Sequence, residues 1–206
     1  MDIPKVRYSK WELEVPDTPI VSLDEIKEIC YIDSDITDDD TMLLAMEKAA
    51  SNLCSSFIGY PLLFSTRVIY TDIVKKPCTP ITSKYTLKGV LEVMGIAVKL
   101  KDGAYNLYND ADIPDIYVVS ESNTNIKELV ITDPSIFTPE LYPIDSFQIT
   151  VRAGFGADPV SVPEELKLGI KLLIANWYEH REDQKVGQTI TSSAKALWST
   201  YKLARV

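Results

Sequence analysis

Histidine and cysteine are almost missing from this chain: one histidine, His180, and three cysteines stand among 206 residues. A lone imidazole excludes a metal site built from several histidines, and any nucleophile–base pair would have to use His180 itself. Cys30, Cys54 and Cys78 are an odd, equally spaced set, yet their flanks (KEICYID, SNLCSSF, KKPCTPI) share nothing, so the spacing implies no repeat. They read as reduced, mostly buried thiols in a protein made in the cytoplasm.

Long apolar runs are absent too. Nothing reaches the roughly 18 residues a membrane span needs, and the opening MDIPKVRYSKWELEVPD has no basic segment followed by an apolar one, so the reading excludes a secretory signal and a membrane partner. Basic residues are outnumbered, 21 against 30 acidic, for a net charge of -9. Such a balance argues against a surface that grips phosphates by counterion release. What is there is ordinary for a globular chain, 46% hydrophobic and 25% charged, enough for one sizeable core or two small ones.

Local signals divide the chain. Residues 1–20, with Pro4, Pro16, Pro19 and Trp11, read as an extended N-terminal arm. Ser22 with Glu25 three positions on has capping-box spacing, which predicts a short helix ending near Cys30, with Val21 as its hydrophobic staple. The acidic run Asp33–Asp40 fails as a calcium loop, because Asp38 stands where glycine is needed and Leu44 where the bidentate glutamate belongs. Its carboxylates instead suit a helix start, with Thr37 or Asp38 as cap. Met42, Met46, Ala49, Ala50, Leu53 and Phe57 follow at helical spacing, predicting a core helix of about 20 residues that stops at Gly59-Tyr60-Pro61.

Beyond Arg67 the texture becomes β-branched and aromatic (RVIYTDIV, LEVMGIAVKL, IYVVS, ELVIT, SFQITV), broken by turn residues, with Lys101-Asp102-Gly103 as a hairpin turn and Asn123-Thr124-Asn125 as another connection. Ala153-Gly154-Phe155-Gly156 then reverses the chain. It is no dinucleotide fingerprint, since Asp158-Pro159-Val160-Ser161 intervenes before the helix, and no P-loop lysine follows. Pro163, Glu164 and Glu165 open a helix to about 181 whose apolar face is Leu166, Ile170, Leu173, Ile174 and Trp177. A polar loop spans Gln184–Ser193. Ser192 or Ser193 caps a last helix bearing Ala194, Leu197, Trp198 and Tyr201, whose two aromatics require a partner surface. The fold class is thus α+β, mainly helical: a bundle of about four helices, formed by residues 21–65 and 146–206, with a small antiparallel β module, residues 66–145, inserted between helices 2 and 3.

Reactive chemistry is not indicated. His180 sits at a helix end, Cys54 lies on an apolar helix face, Cys78 lies between prolines, and the carboxylate pairs Glu164/Glu165 and Glu179/Glu182/Asp183 suit solvated helix ends. No catalytic, metal or cofactor residue is assigned.

Three stretches carry a resemblance. They are Val21-Ser22-Leu23-Asp24-Glu25-Ile26-Lys27 leading to a helix that ends Phe57-Ile58-Gly59-Tyr60-Pro61; Val151-Arg152-Ala153-Gly154-Phe155-Gly156 leading to Val162-Pro163-Glu164-Glu165-Leu166-Lys167; and Asn176-Trp177-Tyr178-Glu179-His180-Arg181-Glu182. In their order and spacing the chain resembles the head-tail connector (adaptor) proteins of tailed bacteriophages, also described as possible DNA-packaging proteins. The likeness spans about residues 20–205 and is weakest through the β module.

The resemblance implies a structural virion protein rather than an enzyme. It implies a homo-oligomeric ring, typically dodecameric, in the neck under the portal protein, extending the DNA channel and receiving the stopper or tail-completion protein. DNA would pass without specific binding, in keeping with the acidic balance. Trp198, Tyr201, Lys202 and Arg205 are the portal-docking candidates, because that segment is aromatic, ends basic and has little local core. Trp177, Tyr178, Glu179, His180, Arg181 and Glu182 are candidates for a subunit interface or helix-end network. Lys185, Val186, Gly187 and Gln188 form a candidate tail-side or channel loop. The competing readings are a tail-completion or neck protein on the tail side of the junction, and a small hydrolase using His180.

Overall fold

A computed structural model describes residues 6–9, 12–14, 18–71, 84–109, 117–123, 126–131, 146–181 and 190–202. The chain forms two compact units, one of Met1–Glu12 with Ser65–Ala153, the other of Leu13–Phe64 with Gly154–Val206. Strands take as large a share of the described residues as helices. The described residues therefore form a mixed α+β fold with four α-helices, and the expected helical majority is corrected.

The described residues of the first unit form strands. Its larger sheet runs in the order β1 (Val6–Tyr8), β3 (Ser65–Thr71), β9 (Phe147–Ala153), β5 (Glu92–Lys99) and β6 (Tyr105–Asn109). Each neighbouring pair is antiparallel. β2 (Glu12–Leu13) lies where the chain passes out of the unit. A smaller sheet joins β4 (Lys84–Lys88), β8 (Ile126–Ile131) and β7 (Tyr117–Asn123). β9 alternates strictly, burying Phe147, Ile149, Val151 and Ala153. Ile149 stands opposite Ile69 on one side and Ile96 on the other, so one sheet face is a continuous apolar layer. Each such side chain contributes about 1.5–3 kcal/mol when fully buried. The register slips at Met94, between Val93 and Gly95. The Lys101-Asp102-Gly103 turn joins β5 to β6, with Gly103 at φ 88° and the Asp102 carboxylate accepting from Ala104 N–H at 2.9 Å.

Three assignments shift here. The arm contributes β1, paired to β3, where the prolines suggested only an extended lead-in. β4 and β6 are too short and too polar to stand out as β-branched clusters. β9, assigned to the helical core by its position before the glycine turn, is the central strand of the larger sheet.

The second unit holds the described helices. α1 (Leu23–Ile29) starts on a complete capping box: Ser22 Oγ accepts from Glu25 N–H at 3.3 Å, and Glu25 Oε2 accepts from Ser22 N–H at 3.0 Å. α2 (Asp40–Ile58) ends at Gly59 in the left-handed region, φ 96°, donating to Ser55 O at 2.9 Å. Its N-cap is Asp39 rather than Thr37 or Asp38, and the Asp39 side chain makes no cap bond. Its buried stripe is Leu43, Glu47, Ala50, Cys54 and Ile58, one position round from the predicted face. Met42, Met46, Leu53 and Phe57 flank it half-buried, and Ala49 is exposed. The predicted face followed the larger apolar residues, while Glu47 belongs inside for the reason given below.

After a turn of 3-10 helix (Pro159–Ser161), α3 (Glu164–Glu179) buries the predicted Leu166, Ile170, Leu173, Ile174 and Trp177. Pro163 is its N-cap rather than its first residue. α4 (Ser192–Ser199) is capped by Thr191, whose hydroxyl accepts from Ala194 N–H at 3.3 Å, not by Ser192 or Ser193. α1, α2 and α4 all pack against α3. The glycine turn serves close approach: at Gly154, φ 118°, an added Cβ would lie 2.5 Å from the Leu63 carbonyl carbon.

Candidate functional site

Of the candidate residues at the C-terminal end of α3, Tyr178 and Arg181 pair with each other and His180 closes the helix. Trp177 points inward and is 4% exposed. Tyr178, one residue on, turns outward and donates its hydroxyl to Asp39 Oδ2 at 2.7 Å, which ties the end of α3 to the start of α2 and explains why Asp39 makes no cap bond. That hydrogen bond is the main cause that pushes the Tyr178 phenol above its ordinary range. Arg181 stacks its guanidinium 4.5 Å above the Tyr178 ring and donates to Tyr178 O at 3.2 Å. His180 closes the helix, its Nδ1 2.9 Å from Asn176 O. Glu179 adds to burial in raising the Cys30 thiol. Glu182 lies outside the described residues. The imidazole thus faces a backbone carbonyl, a helix-closing arrangement.

The candidates near the C-terminus divide between core and surface. Trp198 is fully buried, its indole N–H donating to Leu166 O at 3.2 Å within the helical unit. The segment therefore has its own core, and Trp198 is the residue that plugs it in rather than one presented outward. Tyr201 donates to Glu165 Oε2 at 3.0 Å and stacks edge-on with Phe155, the ring centroids 6.0 Å apart. Lys202 lies 4.7 Å over the Phe57 ring and is exposed. Arg205 and the loop candidates Lys185, Val186, Gly187 and Gln188 lie outside the described residues.

Two buried charges organise the same unit, and neither stands out in the sequence. Lys27 is 4% exposed and reaches Ile36 O at 2.8 Å, Ser34 O at 3.4 Å and Asp40 Oδ1 at 2.7 Å. One ammonium thereby folds the acidic loop back onto α1 and leaves Asp33, Asp35 and Asp38 facing solvent. Glu47, also 4% exposed, accepts from Ile20 N–H at 2.8 Å and Ser51 Oγ at 2.8 Å, and more weakly from Val21 N–H at 3.4 Å. It holds the backbone that leads into α1. The only hint of either role was a charge at a core-facing helix position, which demands a partner.

An open cleft of about 560 Å³ is lined by Pro19, Ile20, Glu25, Asp158, Val160 and Lys167. Two of its charges are already matched, Lys167 to Glu164 at 2.8 Å and Glu25 to Lys171 at 2.6 Å. Among the described residues no three His, Cys, Asp or Glu side chains could hold a metal together. Cys54, with its thiol pushed up to about 12 by burial, is a packing residue.

Neither a family model nor a curated protein matches the sequence. Solved structures do match in shape. A chain in the neck of an empty gene transfer agent particle, computed with C6 symmetry, aligns with a TM-score of 0.64 at 17% identity, covering 98% of this chain and 97% of that one. A chain of the virion of the native gene transfer agent particle aligns with a TM-score of 0.65 at 18% identity, covering 98% and 96%. A chain in the neck of the native particle, computed with C12 symmetry, gives 0.61 at 18% identity, covering 96% of each. At such identity the likeness establishes a shared fold, from end to end of the chain.

Proposed function

We propose that this chain is a structural component of the neck of a tailed, phage-like particle, a head-tail connector that assembles as a ring under the portal, and not an enzyme. The observation that carries the reading is that its whole length, both units included, matches chains of gene transfer agent necks and virions. The C6 and C12 symmetries of those neck structures favour a ring here, with twelve copies as the proposed number. In a cyclic ring each copy presents two different faces that meet head to tail. The helical unit suits a rigid wall, because α3 is buttressed by three other helices, while the Lys27 and Glu47 clasps tie α1 and α2 to the segments that lead into them.

Within this reading the C-terminal segment docks to the portal through Tyr201, Lys202 and Arg205, with Trp198 anchoring it from inside the core. The segment with Lys185, Val186, Gly187 and Gln188 contacts the stopper, the tail-completion protein or the channel. The surplus of acidic side chains lets DNA pass without adhering.

Co-expression tests the assignment. The chain should copurify with its portal protein and not with the tail-tube protein alone. Retention on the tail tube alone would move it to the tail side of the junction, and binding to neither would remove the neck assignment.

A further inference from the structure

Among the described residues β6 is a sheet edge with no strand paired beyond it. Strand edges in soluble proteins are ordinarily blunted by charge, proline or a bulge, because their free backbone groups template pairing with another chain. β6 reads Tyr105-Asn106-Leu107-Tyr108-Asn109, without a charge or a proline. Leu107 is 69% exposed and Tyr105 43% exposed, the latter with Lys99 Nζ 5.5 Å from its ring centre. Among the described residues no strand pairs on the far side of β6.

The hydrogen-bond phase identifies the groups on offer. Lys99 N–H donates to Ser146 O toward β9, and Leu100 N–H donates to Ala104 O on the β6 side. Since successive residues of a strand alternate, Val98 and its partner Asn106 face each other, and the backbone groups of Tyr105 and Leu107 point away from the sheet. At the opposite edge Ser9 N–H donates to Val68 O, so Arg7 faces β3 while the backbone groups of Val6 and Tyr8 point outward. Among the described residues the sheet therefore ends in two edges without a paired strand, β6 offering Tyr105, Leu107 and Asn109 and β1 offering Val6 and Tyr8, at the same two-residue spacing.

We propose that the β6 edge of one copy receives the β1 strand of a second copy, head to tail, so that the larger sheets join across the subunit seam. This rests on the ring reading above, which requires a contact between two different faces. Because every pair from β1 to β6 is antiparallel, β1 and β6 run in the same direction, and the joint is parallel. The short ladder sets orientation; the roughly 1,000 Å² of a specific contact includes further surface.

The test compares the purified wild-type chain with Leu107→Pro and Leu107→Lys by mass photometry and sedimentation over rising concentration. A photocrosslinking phenylalanine introduced at Leu107 then maps the neighbour by mass spectrometry. Leu107→Pro removes an outward N–H without breaking the internal ladder, and Leu107→Lys keeps the N–H but adds an edge charge. Both should keep the wild-type thermal midpoint and raise the concentration for half-assembly at least about tenfold. The crosslink should join position 107 to a peptide containing Val6–Tyr8 of another copy. Unchanged assembly in both variants, or a crosslink elsewhere, overturns the seam while leaving the ring intact. A wild-type chain that stays monomeric throughout also overturns the seam, and portal copurification then decides separately on the neck assignment.

Discussion

Gly169 and Trp198 fit as notch and plug: a Cβ on Gly169 would lie 2.3 Å from the indole Nε1, which instead donates to the Leu166 carbonyl at 3.2 Å. Glycine in the middle of α3 costs helix stability of about 1 kcal/mol, so its presence here is explained by the indole it admits. Gly169→Ala should lower stability by about 1–2 kcal/mol, the overpacking cost exceeding the gain in helix propensity. Trp198→Ala should cost about 3–5 kcal/mol. Denaturant midpoints check both, and a red shift in tryptophan emission should accompany Gly169→Ala.

This packing also changes how the docking segment must be tested. Removing residues 194–206 would take Ala194 and Trp198 out of the core, so failure to dock would report misfolding. Ending the chain after Lys202 keeps the plug. Under the proposed function that truncation should leave the thermal midpoint within about 2 °C of wild type, a change too small for a lost core element, while weakening portal binding at least tenfold. Pull-down and calorimetry on one preparation read both.

Glu47 should behave as a backbone latch. Glu47→Leu leaves Ile20 N–H and Ser51 Oγ without their acceptor and should cost about 1–3 kcal/mol, while Glu47→Gln retains an acceptor and should cost less. Hydrogen exchange at Ile20 should quicken in the leucine variant. Equal losses in the two variants would mean that the charge itself, rather than the acceptor geometry, matters.

Lys27→Met should cost about 2–3 kcal/mol, because two carbonyl acceptors lose a charged donor and Asp40 loses its ion-pair partner. Proteolysis should then cut first between residues 31 and 39. Retained resistance there would show that the loop holds without the ammonium.

Acid should weaken the α1–α3 contact. The Glu25 carboxyl is lowered from 4.5 to about 2, first through its hydrogen bond with Lys171, against a smaller opposing effect of burial. A depressed carboxylate adds stability above its unfolded value and loses it as pH falls through the folded one, so the contribution is present at pH 5 and fades between 4.5 and 2. With Glu25 40% exposed, screening keeps it below about 1 kcal/mol. Glu25→Gln should flatten that part of the stability–pH curve; an unchanged slope would remove the pair from the account.

Where local chemistry decides, the sequence is readable. The Ser22/Glu25 box, the Gly59 stop, the Lys101–Gly103 turn and the apolar face of α3 need only neighbours along the chain, and each is found where its spacing predicts. Where distant partners decide, it is not. Asp39 stands at the start of α2 without capping it because Tyr178 holds its carboxylate, and Glu47 turns α2 by one position because Ile20 supplies a donor. β6 carries no β-branched run and is a strand only because β5 pairs with it. Trp198 looked available for docking because nothing in its own helix shows the notch at Gly169 that receives it.

The central claim is that copies of this chain lock around a channel beneath the portal. Cryo-electron microscopy of the chain mixed with its portal tests this most directly. The account predicts a closed ring of this chain, twelve-fold around the portal axis, with the C-terminal segment against the portal. Portal particles that remain bare, or carry isolated copies without ring contacts, would contradict it.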